Sequence, residues 1–199
     1  MKSLVPRILE GHSVRLEPLT MAHLPGLAKV AFDPDLWQWT TTQISTDDDL
    51  RAYVEDALAL QRAGTALPFC IVSTETEEAI GSSRFGNYDP ANRKVEIGWS
   101  WVGRRWQRTS ANPEAKLLML EYAFTELECL RVEFKTDALN ARSRGALEKL
   151  GARQEGILRS HMITSTGRRR DSVYFSILTE EWPELRRALV ERLAAPRPA

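Results

Sequence analysis

The chain has 199 residues, 43% of them hydrophobic, enough to bury one full core or two very small ones. Its 27 Lys and Arg balance 27 Asp and Glu, for a formal net charge of zero. That balance argues against a general nucleic-acid or membrane-surface binder, which works through a large basic excess.

No apolar run approaches the ~18 residues of a membrane span and no signal-like segment opens the chain, so the expected setting is the cytoplasm. Cys70 and Cys129 sit in the apolar runs LPFCIV and ELECLRV. Such runs suit buried reduced thiols, and no metal site is expected.

In chain order, SVRLEPL alternates apolar and polar residues as a half-buried strand does. LTMAHLPGLAKVAF reads as a short helix weakened at Pro25-Gly26. A loop with Trp37 and Trp39 leads to STDDDLRAYVEDALALQRAG, where Thr46 caps, three aspartates fill the first turn and Gly64 stops the helix. LPFCIVST, AIGSSRFGNYD and KVEIGWSWV follow as an antiparallel meander around the turns TETEE and DPANR.

A helix from about 113 to 128 is apolar nearly all round, which places it against a sheet. RVEFKTD is a strand, and NARSRGALEKLG is a short helix capped by Asn140 and stopped by Gly151. GILRSHMIT and DSVYFSIL face each other across STGRRR, whose Arg168–Arg170 run reads as a solvated cluster. An amphipathic helix over about 180–194 closes the chain before a tail, AAPRPA, that should fray.

The order β-α-α-β-β-β-α-β-α-β-β plus a C-terminal helix predicts one α/β domain of α+β type over residues 1–199, with its core at about 13–178 and a mostly antiparallel mixed sheet.

That order, with the segments VEIGWSWV, QRTSANPEAKLLMLEYAF and RVEFKTDALNARSRGALEKLGARQEG, resembles the GCN5-related N-acetyltransferases. Within them it is most similar to the ribosomal-protein N-terminal acetyltransferase branch. The resemblance implies a twisted sheet splayed between its fourth and fifth strands, with acetyl-CoA as co-substrate in the gap. It also implies an amine acceptor, either a peptide N-terminus or a small amine, and a homodimer as one assembly. A coenzyme A-binding sensor or scaffold without catalysis is the alternative.

The family's pyrophosphate loop, Gln/Arg-x-x-Gly-x-Gly/Ala, falls here on Gln107, Arg108, Thr109, Ser110, Ala111 and Asn112, so serine and asparagine stand at the glycine positions. A helix N-terminus offers unpaired N–H groups and a positive dipole end to such an anion. Asparagine tolerates left-handed geometry, so Ser110 and Asn112 are expected to supply side-chain donors or caps where the family has bare backbone. Arg104, Arg105 and Arg108 supply charge. A plain capped helix behind a solvated loop is the simpler alternative.

In KVEIGWSWV, a period of two puts Val95, Ile97, Trp99 and Trp101 on one face and Glu96, Gly98 and Ser100 on the other, until a bulge resets the phase. The resemblance implies such a bulge, with Ser100, Trp101 and Val102 meeting the cofactor through main chain. Amide formation needs a neutral amine, and a carboxylate can take its proton. Glu96 is the first candidate, unless it merely pairs with a lysine or arginine; His161 and Asp171 are the alternatives. Ser143, one turn into the Asn140-capped helix, is where similar enzymes place a hydrogen-bond donor to the leaving sulfur. Asn140 either binds the cofactor's amide or only caps. The loop aspartates Asp33, Asp35, Asp47, Asp48 and Asp49 with the two tryptophans would suit a cationic acceptor, or would only cap and pack.

Overall fold

The computed structural model describes residues 2–195. Its elements are β1 (Leu9–Glu10), β2 (Val14–Pro18), α1 (Leu24–Ala31), α2 (Asp47–Arg62), β3 (Leu67–Ser73), β4 (Ala79–Asp89), β5 (Lys94–Val102), α3 (Ala111–Glu121), β6 (Arg131–Asp137), α4 (Ala141–Leu150), β7 (Arg153–Ile163), β8 (Arg169–Leu178) and α5 (Trp182–Ala194). The strands form one eight-stranded sheet in the order β1-β2-β3-β4-β5-β6-β8-β7. Every neighbouring pair is antiparallel except β5 and β6. The expected mixed α/β sheet is therefore present, with the two-residue β1 as an addition. Among the described residues no helix is long and apolar enough to cross a membrane.

The local signals act where the sequence places them. Thr46 accepts the Asp49 N–H at 3.1 Å, and the Asp49 carboxylate returns to the Thr46 N–H at 3.0 Å. The same carboxylate accepts the Ser45 N–H at 3.0 Å, and that bond, followed by those of Thr46 and the Ser45 hydroxyl, holds the Asp49 carboxyl below its usual range. Asn140 accepts the Ser143 N–H at 3.0 Å to open α4, and Gly151, at φ +92°, closes it. A side chain at Gly151 would collide with Leu185 of α5 at 2.4 Å, so close packing adds to the turn's demand for glycine. The helix expected from 113 begins at Ala111 instead, because Pro113 fits within a first turn whose N–H groups are unpaired anyway. It ends in a π turn over Tyr122–Glu126. The fraying expected of the tail from Pro196 onward lies outside the described residues.

Two cores sandwich the sheet. One packs α3 and α5 on Leu16, Phe69, Phe85, Val95, Ile97, Phe134 and Phe175. The other packs α1 and α2 on Cys70, Val72 and Trp101 at the β2–β5 end. Both thiols are free and buried, and burial pushes Cys70 up to about 12 and Cys129 to about 11. Neither is poised as a thiolate.

Candidate active site

The parallel pairing of β5 with β6 lasts three residues, Lys94 to Glu96 against Arg131 to Glu133. Beyond Glu96 the two strands part, and the β5 edge facing β6 has no sheet partner. At the parting β5 carries a bulge. Its register with β4 slips between the Arg84–Gly98 and Ser82–Trp101 pairs, and Trp99 takes φ +50°. A left-handed tryptophan costs about 1–2 kcal/mol. Its ring packs so closely over Gly86 that a side chain there would sit 2.4 Å from it, and the Tyr53 hydroxyl donates to the Trp99 carbonyl at 3.3 Å.

The bulge changes which residues share a face. Val95 and Ile97 lie in the α3 core and Trp101 in the α2 core. Ser100 accepts a hydrogen bond from Lys116 of α3. Ser100 therefore belongs to the α3 face and Trp101 to the α2 face. The strict alternation that grouped Glu96 with Ser100 fails because Trp99 and Ser100 together stand opposite the single Ser83 of β4.

Glu96 is 4% exposed. Its carboxylate accepts from Asn87 Nδ2 at 2.8 Å, pairs with Lys135 Nζ at 3.5 Å, and leans over the bare Cα of Gly98. Glu96 thus does face a lysine, and on a buried face. Lys135 lies over the Tyr174 ring at 5.9 Å, and His161 meets that ring edge-on at 5.8 Å. Burial, with Glu96 and Glu133 nearby, pushes the Tyr174 hydroxyl up. His161 bonds Ser172 at 3.0 Å, and Asp171 accepts the Ser160 N–H at 2.6 Å across a bulge of β7.

The loop before α3 departs from its expected geometry. Arg108, not Ser110 or Asn112, takes the left-handed conformation, at φ +60°. Thr109 Oγ1 accepts the Ala111 N–H at 3.2 Å, so Thr109 supplies the cap. Ser110 has helical φ and makes no cap bond; its hydroxyl meets Ser13 at 2.9 Å. Neither substituted position needed glycine's freedom, because the turn places its positive φ two residues earlier. Gln107 ties the loop to both neighbours, accepting from Arg142 of α4 at 2.6 Å and donating to the Val102 carbonyl at 3.4 Å. Arg104 pairs with Asp35 at 3.6 Å and Asp33 at 4.0 Å, so the loop before α3 meets the one after α1. Ser143 is half-buried at the start of α4, next to the Arg142 that reaches Gln107.

Arg168–Arg170 is not a solvated cluster. Arg168 and Arg170 both turn to the buried carboxylate of Asp137, with Arg170 at 3.9 Å. Arg168 also covers the Trp39 ring at 5.6 Å, joining the β7–β8 hairpin to the loop before α2. Three groups escaped the sequence reading. Lys116 is 7% exposed and bonds only Ser100 and Ser83, at 3.4 Å from the latter, and burial lowers it to about 7. Arg84 is 3% exposed between the Tyr53 and Trp99 rings. Tyr174 stands beside Lys135. The only signal for the first two was a lone charge inside an apolar helix and a lone charge inside a strand.

The mixed sheet opens beside a bulged strand, with the N-terminus of α3 following that strand. The Acetyltransferase (GNAT) domain model matches residues 13–153, and the chain belongs to this family of acetyltransferases. It is 31% identical over 154 residues to the N-acetyltransferase p20 of Bacillus licheniformis, covering 75% of this chain and 84% of that one. A GCN5-related N-acetyltransferase from Brucella melitensis superposes with a TM-score of 0.90 at 31% identity, over 96% of this chain and 87% of that one. RimJ of Mycobacterium smegmatis, solved with CoA-disulfide, superposes with a TM-score of 0.78 at 25% identity, over 94% and 92%.

Proposed function

We propose that the protein transfers the acetyl group of acetyl-CoA to a primary amine by direct attack in a ternary complex. The observation that carries this reading is the parting of β5 from β6 after Glu96, with the Trp99 bulge at the opening and the N-terminus of α3 at its mouth. The unpaired β5 edge at Ser100, Trp101 and Val102 offers main-chain groups to the pantetheine arm. Arg108, Thr109, Ser110, Ala111 and Asn112 at the start of α3 offer N–H groups and charge to the pyrophosphate. Gln107 holds that loop to α4. When bound, acetyl-CoA supplies an activated thioester.

Glu96, steadied by Asn87, takes the proton of the attacking amine. The Ser143 hydroxyl donates to the departing sulfur, and Asn140 holds the helix turn that presents it. Buried Cys70 and Cys129 support direct transfer over a cysteine intermediate. A homodimer and a cytoplasmic setting complete the reading. The homodimer is supported by β7, an edge strand exposed along nearly all of its length, and light scattering tests it.

The deciding experiment is a thermal shift with acetyl-CoA followed by thiol-release assays on N-terminal peptides, amino acids, polyamines and aminoglycosides. Stabilisation with thiol release on at least one amine is expected. No stabilisation at millimolar acetyl-CoA would sink the reading, and binding without release on any amine would favour a sensor.

A further inference from the structure

We infer that the acceptor carries a carboxylate a few bonds from its reactive amine, and that Arg84 is the residue that binds it. This rests on the acetyl-transfer reading and narrows its substrate class. Arg84 rises from the middle of β4, with its guanidinium carbon 5.3 Å from the Tyr53 ring centroid and 5.0 Å from that of Trp99. Its Nε is buried without a hydrogen-bond partner, and no carboxylate of the described residues pairs with it. Stacking between two rings returns part of the cost of burying a cation, but leaves the Nε–H unmet. The other deeply buried arginine, Arg170, also has an Nε without a hydrogen-bond partner, but the Asp137 carboxylate lies 3.9 Å from it. Arg84 has only the two rings, and what it lacks is an anion.

Its place in the sheet says where that anion belongs. Arg84 pairs with Gly98, and Gly86 pairs with Glu96. Arg84 and Glu96 are thus diagonal neighbours across Gly98, at a backbone separation of about 7–8 Å. Gly98 has no side chain to fill the space between them, and a Cβ there would come within 3.1 Å of the Glu96 carboxylate. An amine delivered to Glu96 therefore lies within a few bonds of a carboxylate at Arg84. That is the spacing of an amino acid, or of a peptide whose first residues include Asp or Glu.

Three of the five loop acids suggested by the sequence for a cationic acceptor are otherwise engaged, and Asp47 and Asp48 stand exposed on the first turn of α2. Asp33 and Asp35 meet Arg104, and Asp49 closes the α2 cap. Of the charges around the bulge on this face, Glu96 is held by Lys135 and Arg84 alone is uncompensated.

The test uses matched pairs that differ only in the carboxylate: β-alanine and L-alanine each against its own amide, and C-terminally amidated Ser-Asp-Ala against amidated Ser-Asn-Ala. Thiol release is measured with acetyl-CoA, and binding is measured by calorimetry with and without CoA. The carboxylate member of at least one pair should be favoured at least about tenfold, the scale of a charge-assisted hydrogen bond. Arg84→Gln should erase that preference while leaving acetyl-CoA binding intact, and Arg84→Lys should restore part of it. The free amino-acid and peptide pairs separate the two sources of the carboxylate.

Equal handling of both members of every pair by the wild type would overturn the inference while leaving acetyl transfer standing. So would a preference that survives in Arg84→Gln or, should that variant not fold, one undiminished in Arg84→Lys. Failure of acetyl transfer would show separately, as absence of both thermal shift and thiol release. Calorimetry would still read Arg84, and absence of any carboxylate preference there would overturn it.

Discussion

On the β6–β8–β7 side of the sheet each inward cation meets a carboxylate, whereas the two buried cations that flank the β5 bulge meet none among the described residues. Arg131 pairs with Glu133 and Glu155, Arg168 and Arg170 share Asp137, and Lys135 reaches Glu96. Across the sheet, Lys116 has two serine hydroxyls and Arg84 has two aromatic rings. A buried charge costs several kcal/mol unless paired, so the first half is arranged for folding. The second half carries charge that folding alone does not explain. The bulge lies between its two unpaired cations, one on each face, where negative charge would gather during acyl transfer.

The sharpest way to break this contrast is to orphan a paired cation. Asp137→Ala leaves Arg170 buried beside Arg168 and should cost about 3–5 kcal/mol, read as a fall in the denaturation midpoint in urea. A loss below about 1 kcal/mol would mean that the pairing is incidental. Next in size is Glu96→Gln. It should lower kcat by about 100-fold with little change in acetyl-CoA binding, and should remove the acidic limb of the pH–rate profile. An unaltered limb would move the proton acceptor to His161 or to water.

Lys116→Met probes the unpaired side, where the sign reverses: the variant should be more stable than the wild type. Below about pH 7 the folded wild type must hold a proton in a buried site, and the full penalty applies. Between about 7 and the free-lysine value of 10.5 only the unfolded chain keeps that proton, so wild-type stability rises with pH. The gain from Lys116→Met should thus be about 2–4 kcal/mol at pH 6 and fade towards pH 10. A gain that is flat with pH would show that packing, not charge, is responsible. The smallest effect belongs to Ser143→Ala, which should lower kcat by about tenfold and leave acetyl-CoA affinity within a factor of two. Unchanged kcat would remove Ser143 from the reaction.

Helix ends were readable because each is decided within four residues. Thr46 with Asp49 and Asn140 with Gly151 act as any such pair would in any protein. The meander β3–β4–β5 was readable because turn residues punctuate alternating strands. The phase of β5 was not. Whether Trp99 takes φ +50° depends on Gly86 and Tyr53, residues from β4 and α2 that make the strain tolerable. The backbone of the loop before α3 was hidden in the same way, since Asn112 was the residue suited to left-handed geometry and the chain used Arg108.

The sequence by itself determined the elements other than β1, their order, the family, and Glu96, Ser143 and the loop before α3 as candidates, because these rest on local periodicity, capping and motif spacing. Only the tertiary structure decided which side chains meet across strands. It placed Glu96 opposite the α3 face, gave Arg168 and Arg170 to Asp137, and left Lys116 and Arg84 without a carboxylate. The physical reason is that the cost of a buried charge depends on what surrounds it in space, and a one-residue bulge can exchange every neighbour without changing a letter.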